Sequence, residues 1–247
     1  MSVGISLLLR FSSKSKVALL PPKGQELFDY AKKILFLIEE AKRRVVCREP
    51  GGKFRIGTME STLASRLTDP LARLHARHTH VHLELTTGTS RYLYTLLMEN
   101  QLDAVFIADP PVDERMEYAA VFDEELVLVA SRAHKPIYEP ADLVGDTLLV
   151  FKEGCSYGSR MVNWFRAYER EPERIADLTS YNAIMGGAAS GMGVGIVPAS
   201  VVEQFSRKAA LSLHSLPHPL GKVFTVLAWR KGMMSPNIFA LQECLAE

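Results

Sequence analysis

Between residues 54 and 108, short apolar runs of strand length alternate with longer runs of helical spacing, and few folds accept that order. The runs are a strand at 54–57, a helix at 61–75, a strand at 81–86, a helix at 90–100 and a strand at 104–108. A βαβαβ order needs crossover connections, and these put helices on the faces of a parallel sheet. A second set follows, with strands at 147–151, 174–178 and 194–198 and helices at 159–170, 182–190 and 201–205. Two long apolar runs, 125–130 and 223–229, separate and follow these sets, and a last helix covers 236–245. The pattern predicts an α/β protein of two similar lobes, joined by a double strand crossover around a cleft.

Ahead of the lobes, the stretch 24–44 carries neither Pro nor a second Gly after Gly24, and apolar residues fall at Leu27, Ala31, Ile34, Ile38, Ala41 and Val45. Steps that alternate between four and three are those of an a/d seam. Charges from Glu26, Lys32, Lys33, Glu39, Glu40, Lys42, Arg43 and Arg44 surround the seam. Such a helix either pairs with a second copy of itself or packs on its own domain. The segment CREPGGK at 47–53 reads as the hinge from this helix into the lobes.

Charge and cysteine usage narrow the function classes. A net charge of +1 leaves no whole-surface grip for a polyanion, so a nucleic-acid partner would have to be met locally. Three scattered cysteines, Cys47, Cys155 and Cys244, make neither a disulfide framework nor a zinc-type pair, and a reducing compartment fits them best. The apolar stretch 3–9 is short for a signal peptide and has no basic stretch before it. No apolar run approaches the roughly 20 residues needed to span a bilayer. A cytoplasmic, membrane-free protein is expected.

The chemistry-bearing residues lie where strands give way to helices. The loop Thr58-Met59-Glu60-Ser61-Thr62 and the loop Gly88-Thr89-Ser90 each put hydroxyls at the start of a helix. Such hydroxyls serve as plain N-caps, but two helix N-termini beyond neighbouring parallel strands also form a ready anion site. Glu60 would repel an anionic ligand there unless it points away. In the second lobe the stretch 151–157, FKEGCSY, again follows a strand and supplies an opposite wall. A nucleophilic Cys155 would need a His or Lys to lower its pKa, and no signature around it supplies one. His75, His78, His80 and His82 crowd one junction, yet no carboxylate or cysteine completes a ligand set, so no metal is expected. Gly186, Gly187, Gly191, Gly193 and Gly195 follow a helix instead of opening one, which is the wrong context for a dinucleotide and the right one for helix ends and close packing. With no phosphate loop, HExxH or serine elbow, neither enzyme activity nor a cofactor is expected.

These residues together resemble the LysR-type transcriptional regulators over nearly the whole chain. The stretch GGKFRIG and the segment LELTTGTSRYLYTLLMENQLDAVFIA fit that family's first lobe, and ELVLVASRAHKP fits its crossover strand. LLVFKEGCSYGSRMVNWF and SYNAIMGGAASGMGVGIVPASVV fit its second lobe, the latter most specifically. The resemblance implies a two-lobed, periplasmic-binding-protein-like (type 2) effector domain preceded by a long linker helix. By its pattern, 1–23 is the remnant of a winged helix-turn-helix, 24–47 the dimerisation helix, 52–123 with 226–247 lobe I, and 124–225 lobe II. It also implies that Ser61, Thr62, Thr89, Ser90, Phe151, Gly154, Cys155, Ser180 and Tyr181 contact an effector, a small organic acid or other polar metabolite. It further implies a homodimer or homotetramer through the helix seam, and DNA contact from Arg10, Lys14 and Lys16 if the reading head is complete. The stretch VGISLLLRF resembles the end of a recognition helix, and the first helices of such a head do not appear in the sequence. Two other readings use the same lobes: a solute-binding protein of a transporter, and a DNA-binding-deficient partner that dimerises with intact regulators.

Overall fold

The structure, a computed structural model, describes residues 21–46, 49–151 and 154–247, without the side chains at 32, 36 and 39–46. Arg10, Lys14, Lys16 and Cys47, and the side chains of Ala41 and Val45, lie outside the described residues. Helix α1 runs Pro22–Val46 and opens on a proline, whose missing N–H has no intrahelical partner to lose.

The first lobe opens with β1 (Gly52–Thr58), the short α2 (Glu60–Thr62), a π turn at Leu63–Leu67 and α3 (Thr68–Arg77). Here a single helix was predicted over 61–75. Pro70 cannot donate back to residue 66, and Ser65 bonds the Ser61 carbonyl at 2.8 Å, so the helical ladder widens there. The lobe continues through β2 (Val81–Thr87), α4 (Ser90–Met98) and β3 (Ala104–Ala108), with β1 parallel to both other strands.

Strand β4 (Met116–Ser131) then leaves the first lobe for the second. The second lobe comprises β5 (Thr147–Phe151), α5 (Ser156–Ala167), β6 (Arg174–Leu178), α6 (Tyr181–Ala189), β7 (Val194–Pro198), α7 (Ala199–Val202) and β8 (Leu211–Ser215). Strand β9 (Lys222–Arg230) carries the chain back, and α8 (Pro236–Leu245) closes it. The strands run β2-β1-β3-β9-β4-β7-β5-β6, with β8 also paired to β4.

The double crossover is therefore β4 against β9, antiparallel from Met116 opposite Arg230 to Glu125 opposite Lys222. The far half of β4 pairs with β7 and β8, and β9 pairs with β3. Sequence pattern placed only 125–130 in this strand. Its first half, with Glu117, Asp123 and Glu124, has an irregularity between Ala120 and Phe122 that breaks the alternation of apolar and polar residues.

Two buried clusters fill the lobes. Phe54, Ile56, Leu67, Leu74, Phe106, Leu227 and Trp229 pack with Ile238 and Leu241 of α8 in the first. Tyr157, Met161, Trp164 and Ile184 anchor the second, which continues across the boundary to Leu93 and Leu97. The glycine run is a packing feature: a Cβ on Gly193 would fall 2.0 Å from the Thr147 carbonyl oxygen, and one on Gly195 2.3 Å from Ile184 Cγ2. Among the described residues, no helix is long and apolar enough to cross a membrane.

Candidate functional site

The three loops singled out in the sequence, and Ser180 and Tyr181 after β6, lie at C-terminal ends of parallel strands, and the crossover turns the two sets of ends toward each other. From the first lobe come Met59 and Glu60 after β1, and Gly88, Thr89 and Ser90 after β2. Phe151 ends β5, Cys155 sits at the N-cap of α5, and Ser180 and Tyr181 begin α6. Met59, Glu60, Gly88, Thr89, Ser90, Phe151, Cys155 and Tyr181 line one crevice. Gly154 joins them: a Cβ built there would sit 2.9 Å from Thr89 Oγ1, so two loops 65 residues apart touch across the lobe boundary. Gly154 has φ of +87°, a conformation a side chain would strain.

Ser61 belongs to an adjoining crevice with Glu60, Ala64, Tyr181, Asn182, Val201 and Gln204. Thr62 is buried and lines neither crevice. Ser180 caps α6 by accepting from Asn182 N–H at 3.2 Å, which makes it a structural cap as well as a neighbour of the site. Thr89 stands at the N-cap of α4 without a side-chain capping bond, whereas the Ser90 hydroxyl accepts from Ala108 N–H and meets Met59 Sδ at 3.3 Å.

The first crevice has a volume of about 10 Å³ and the second about 110 Å³. A water needs ~10–15 Å³ and small-molecule sites measure roughly 300–1,000 Å³, so neither crevice as closed here has room for such a ligand, whereas a hollow of about 530 Å³ along α5 and β6 also takes in Phe151, Gly154 and Cys155. The closure is polar. Glu60 reaches across to accept from Tyr181 N–H at 3.0 Å and from the Ser180 hydroxyl at 3.2 Å. Arg66 of the π turn holds Glu124 of β4 at 2.8 Å, and Ser200 of the second lobe donates to the same carboxylate at 2.9 Å. Arg160 of α5 binds Asp109 beyond β3. These bridges were not foreseen, because each joins residues far apart in sequence.

Burial holds the Tyr181 phenol protonated well above its ordinary range, with Cys155 and Tyr157 adding to the effect. Burial likewise raises Tyr157, while the Ser61 and Thr225 hydroxyls oppose the shift. The crevice thus offers neutral donors. Cys155 Sγ lies 3.4 Å from Tyr181 Oη. His75, His80 and His82 are exposed, and among the described residues no group of three or more His, Cys, Asp or Glu side chains stands ready for a metal.

Residues 48–247 match the family described as LysR substrate binding domain. The chain is 32% identical over 230 residues to the uncharacterised HTH-type transcriptional regulator YusT of Bacillus subtilis (strain 168), covering 93% of this chain and 76% of that protein. Among solved structures it superposes on full-length CbnR in complex with its target DNA, with a TM-score of 0.68 at 20% identity over 94% of this chain and 82% of that one. The BenM effector binding domain with its effector benzoate gives a TM-score of 0.65 at 23% identity over 78% of this chain and 90% of that one.

Proposed function

The chain belongs to the LysR-type transcriptional regulators, and on that premise we propose that it senses a small organic acid or other polar metabolite in the crevice between its lobes. This family is one of transcriptional regulators, not enzymes. The observation that carries the reading is the meeting of Thr89 with Gly154, which brings Ser90, Phe151, Cys155 and Tyr181 around one crevice at opposed strand ends. Open α/β sheets bind ligands at such ends, where helix N-termini favour negative or polar groups.

The division into lobes at 52–123 with 226–247 and at 124–225 goes with this reading, as does a linker helix at 24–47. Leu27, Ile34 and Ile38 stand exposed on α1 and Ala31 half-exposed. An exposed a/d row of this kind supports pairing of two chains, with Ala41 and Val45 extending the seam. DNA contact through Arg10, Lys14 and Lys16 and a cytoplasmic location complete the proposal. Closure of the lobes around the effector then changes how paired chains sit on DNA.

The test is a thermal-shift screen of benzoate and a panel of small polar metabolites on the purified chain. At least one compound should raise the melting temperature, and Ser61→Val with Thr89→Val should remove that rise. A rise unaffected by the double substitution overturns the site.

A further inference from the structure

Three polar bridges close the lobes, and one differs in kind. Asp109 with Arg160, and Arg66 with Glu124, each match opposite charges. The Glu60 carboxylate instead lies on the N-terminus of α6, bound by the neutral Tyr181 N–H and Ser180 hydroxyl. A helix N-terminus is where an anion is stabilised, and here the anion is the protein's own, delivered from the other lobe. A second observation marks the same place. Ser61, 2% exposed, lines the crevice that contains Glu60, Tyr181 and Asn182, and its hydroxyl makes no full hydrogen bond, its neighbour being the equally unsatisfied Tyr157 hydroxyl. An unsatisfied buried hydroxyl costs free energy until a ligand oxygen meets it.

We propose that Glu60 is a tethered occupant of a carboxylate position. It latches the lobes in the absence of effector, and an acid effector enters by displacing it from Tyr181 N–H and the Ser180 hydroxyl, gaining the Ser61 hydroxyl as it does so. The proposal deepens the sensing reading above and rests on it. It names Glu60 as the residue that sets which ligands succeed. A short tether presents its group at a millimolar effective concentration, so a bare monoacid competes poorly and a ligand that also reaches Thr89 or Ser90 competes well. Displacement is also passed on mechanically. Glu60 begins the helical stretch whose π turn carries Ser65 and Arg66 to Ser200 and Glu124, so freeing it loads the neighbouring bridge.

The experiment follows the Tyr181 backbone amide by NMR in the full chain and in Glu60→Gln and Glu60→Ala. The probes are acetate and benzoate, with benzamide and benzylamine as uncharged and cationic controls. Without any probe, the amide resonance should move in Glu60→Ala and less in Glu60→Gln. Benzoate should then shift it at concentrations about tenfold lower than in the unchanged chain, the factor expected when the competent state is a tenth of the population. Benzamide should not. Glu60→Gln keeps the shape and a hydrogen-bonding oxygen, so it serves where Glu60→Ala unfolds. Equal benzoate response in all three chains overturns the latch, as does an unmoved Tyr181 amide in Glu60→Ala. Benzylamine binding that requires Glu60 also overturns it, because Glu60 is then a cation receptor. If benzoate behaves as expected while Ser61→Val with Thr89→Val leaves metabolite stabilisation intact, the latch stands and the sensing site falls.

Discussion

The two lobes repeat one order of elements but face the crevice with different chemistry. Lobe I presents hydroxyls: Ser61 makes no full hydrogen bond, Thr89 makes no capping bond, and Ser90 accepts from Ala108 N–H while it donates to a methionine sulfur. Lobe II presents a plate of aromatic rings already fixed on one another, with Phe151 stacked on Tyr181 at 4.8 Å and Tyr157 tilted against Tyr181 at 6.2 Å. An unmade hydrogen bond in a buried place gains by meeting a ligand, whereas a stacked ring mainly sets shape. Both lobes therefore offer polar contacts, hydroxyls from lobe I and the Tyr181 N–H and Ser180 hydroxyl from lobe II, while the ring plate of lobe II also sets shape, and the crossover strands bring the two together.

The largest effects should come from the cores. Phe54→Ala in lobe I and Trp164→Ala in lobe II each remove a fully buried ring and should cost about 3–5 kcal/mol. Because β4 and β9 run through both lobes, urea unfolding followed by circular dichroism should show one transition, lowered alike by either change. Two separate transitions would mean the lobes are independent bodies.

Next comes the Arg66–Glu124 bridge, whose two ends are unequally buried at 37% and 3% side-chain exposure. Arg66→Met leaves a buried carboxylate without its counter-charge, held by the Ser200 hydroxyl, and should cost about 3 kcal/mol. Glu124→Gln leaves a guanidinium that can turn to water, so about 1 kcal/mol is expected. Equal losses in denaturant melts would contradict that asymmetry. In lobe II, Gly195→Ala drives a Cβ against Ile184 and should cost about 1–3 kcal/mol. A neutral result would mean that α6 and β7 shift easily.

The smallest effects are those of pH, and they have opposite signs in the two lobes. In lobe II, burial lowers the His134 pKa, but hydrogen bonds to Asp146 and the Lys135 carbonyl and the nearby carboxylates outweigh it, so the net shift is upward. Its stabilisation is complete below about pH 6.5 and is lost as the pH rises through the folded value. In lobe I, hydrogen bonds from Arg115 and Tyr94 hold Asp113 well below its usual range. That contribution is present above about pH 4 and is lost on acidification. Melting temperatures at pH 5.5 and 8 should therefore differ less in His134→Ala than in the unchanged chain, and an identical difference would rule the pair out as a pH-dependent contact.

Much of the fold was legible in order and period. The predicted strands at 104–108, 147–151, 174–178 and 194–198 and the helix at 236–245 coincide with β3, β5, β6, β7 and α8. These runs are buried on matching faces or bounded by turn residues, so local pattern suffices. The first half of β4 was not legible, because its bulge and its buried Glu124 disguise the alternation. The π turn escaped for a similar reason: Pro70 and Ser65 alter the ladder without altering the apolar spacing. Hydroxyl loops at strand ends were visible as candidates, and Glu60 was visible only as a puzzle, a carboxylate beside an expected anion site.

The sequence by itself determined two α/β sets, their crossover strands, a helix with an a/d row and loops rich in capping hydroxyls, since each is written in local spacing. Only the tertiary structure decided that Gly154 closes on Thr89, that Arg66 reaches Glu124, and that Glu60 lies on Tyr181, 121 residues away. Such meetings depend on how β4 and β9 turn one set of strand ends toward the other, and no periodicity within either set records that rotation.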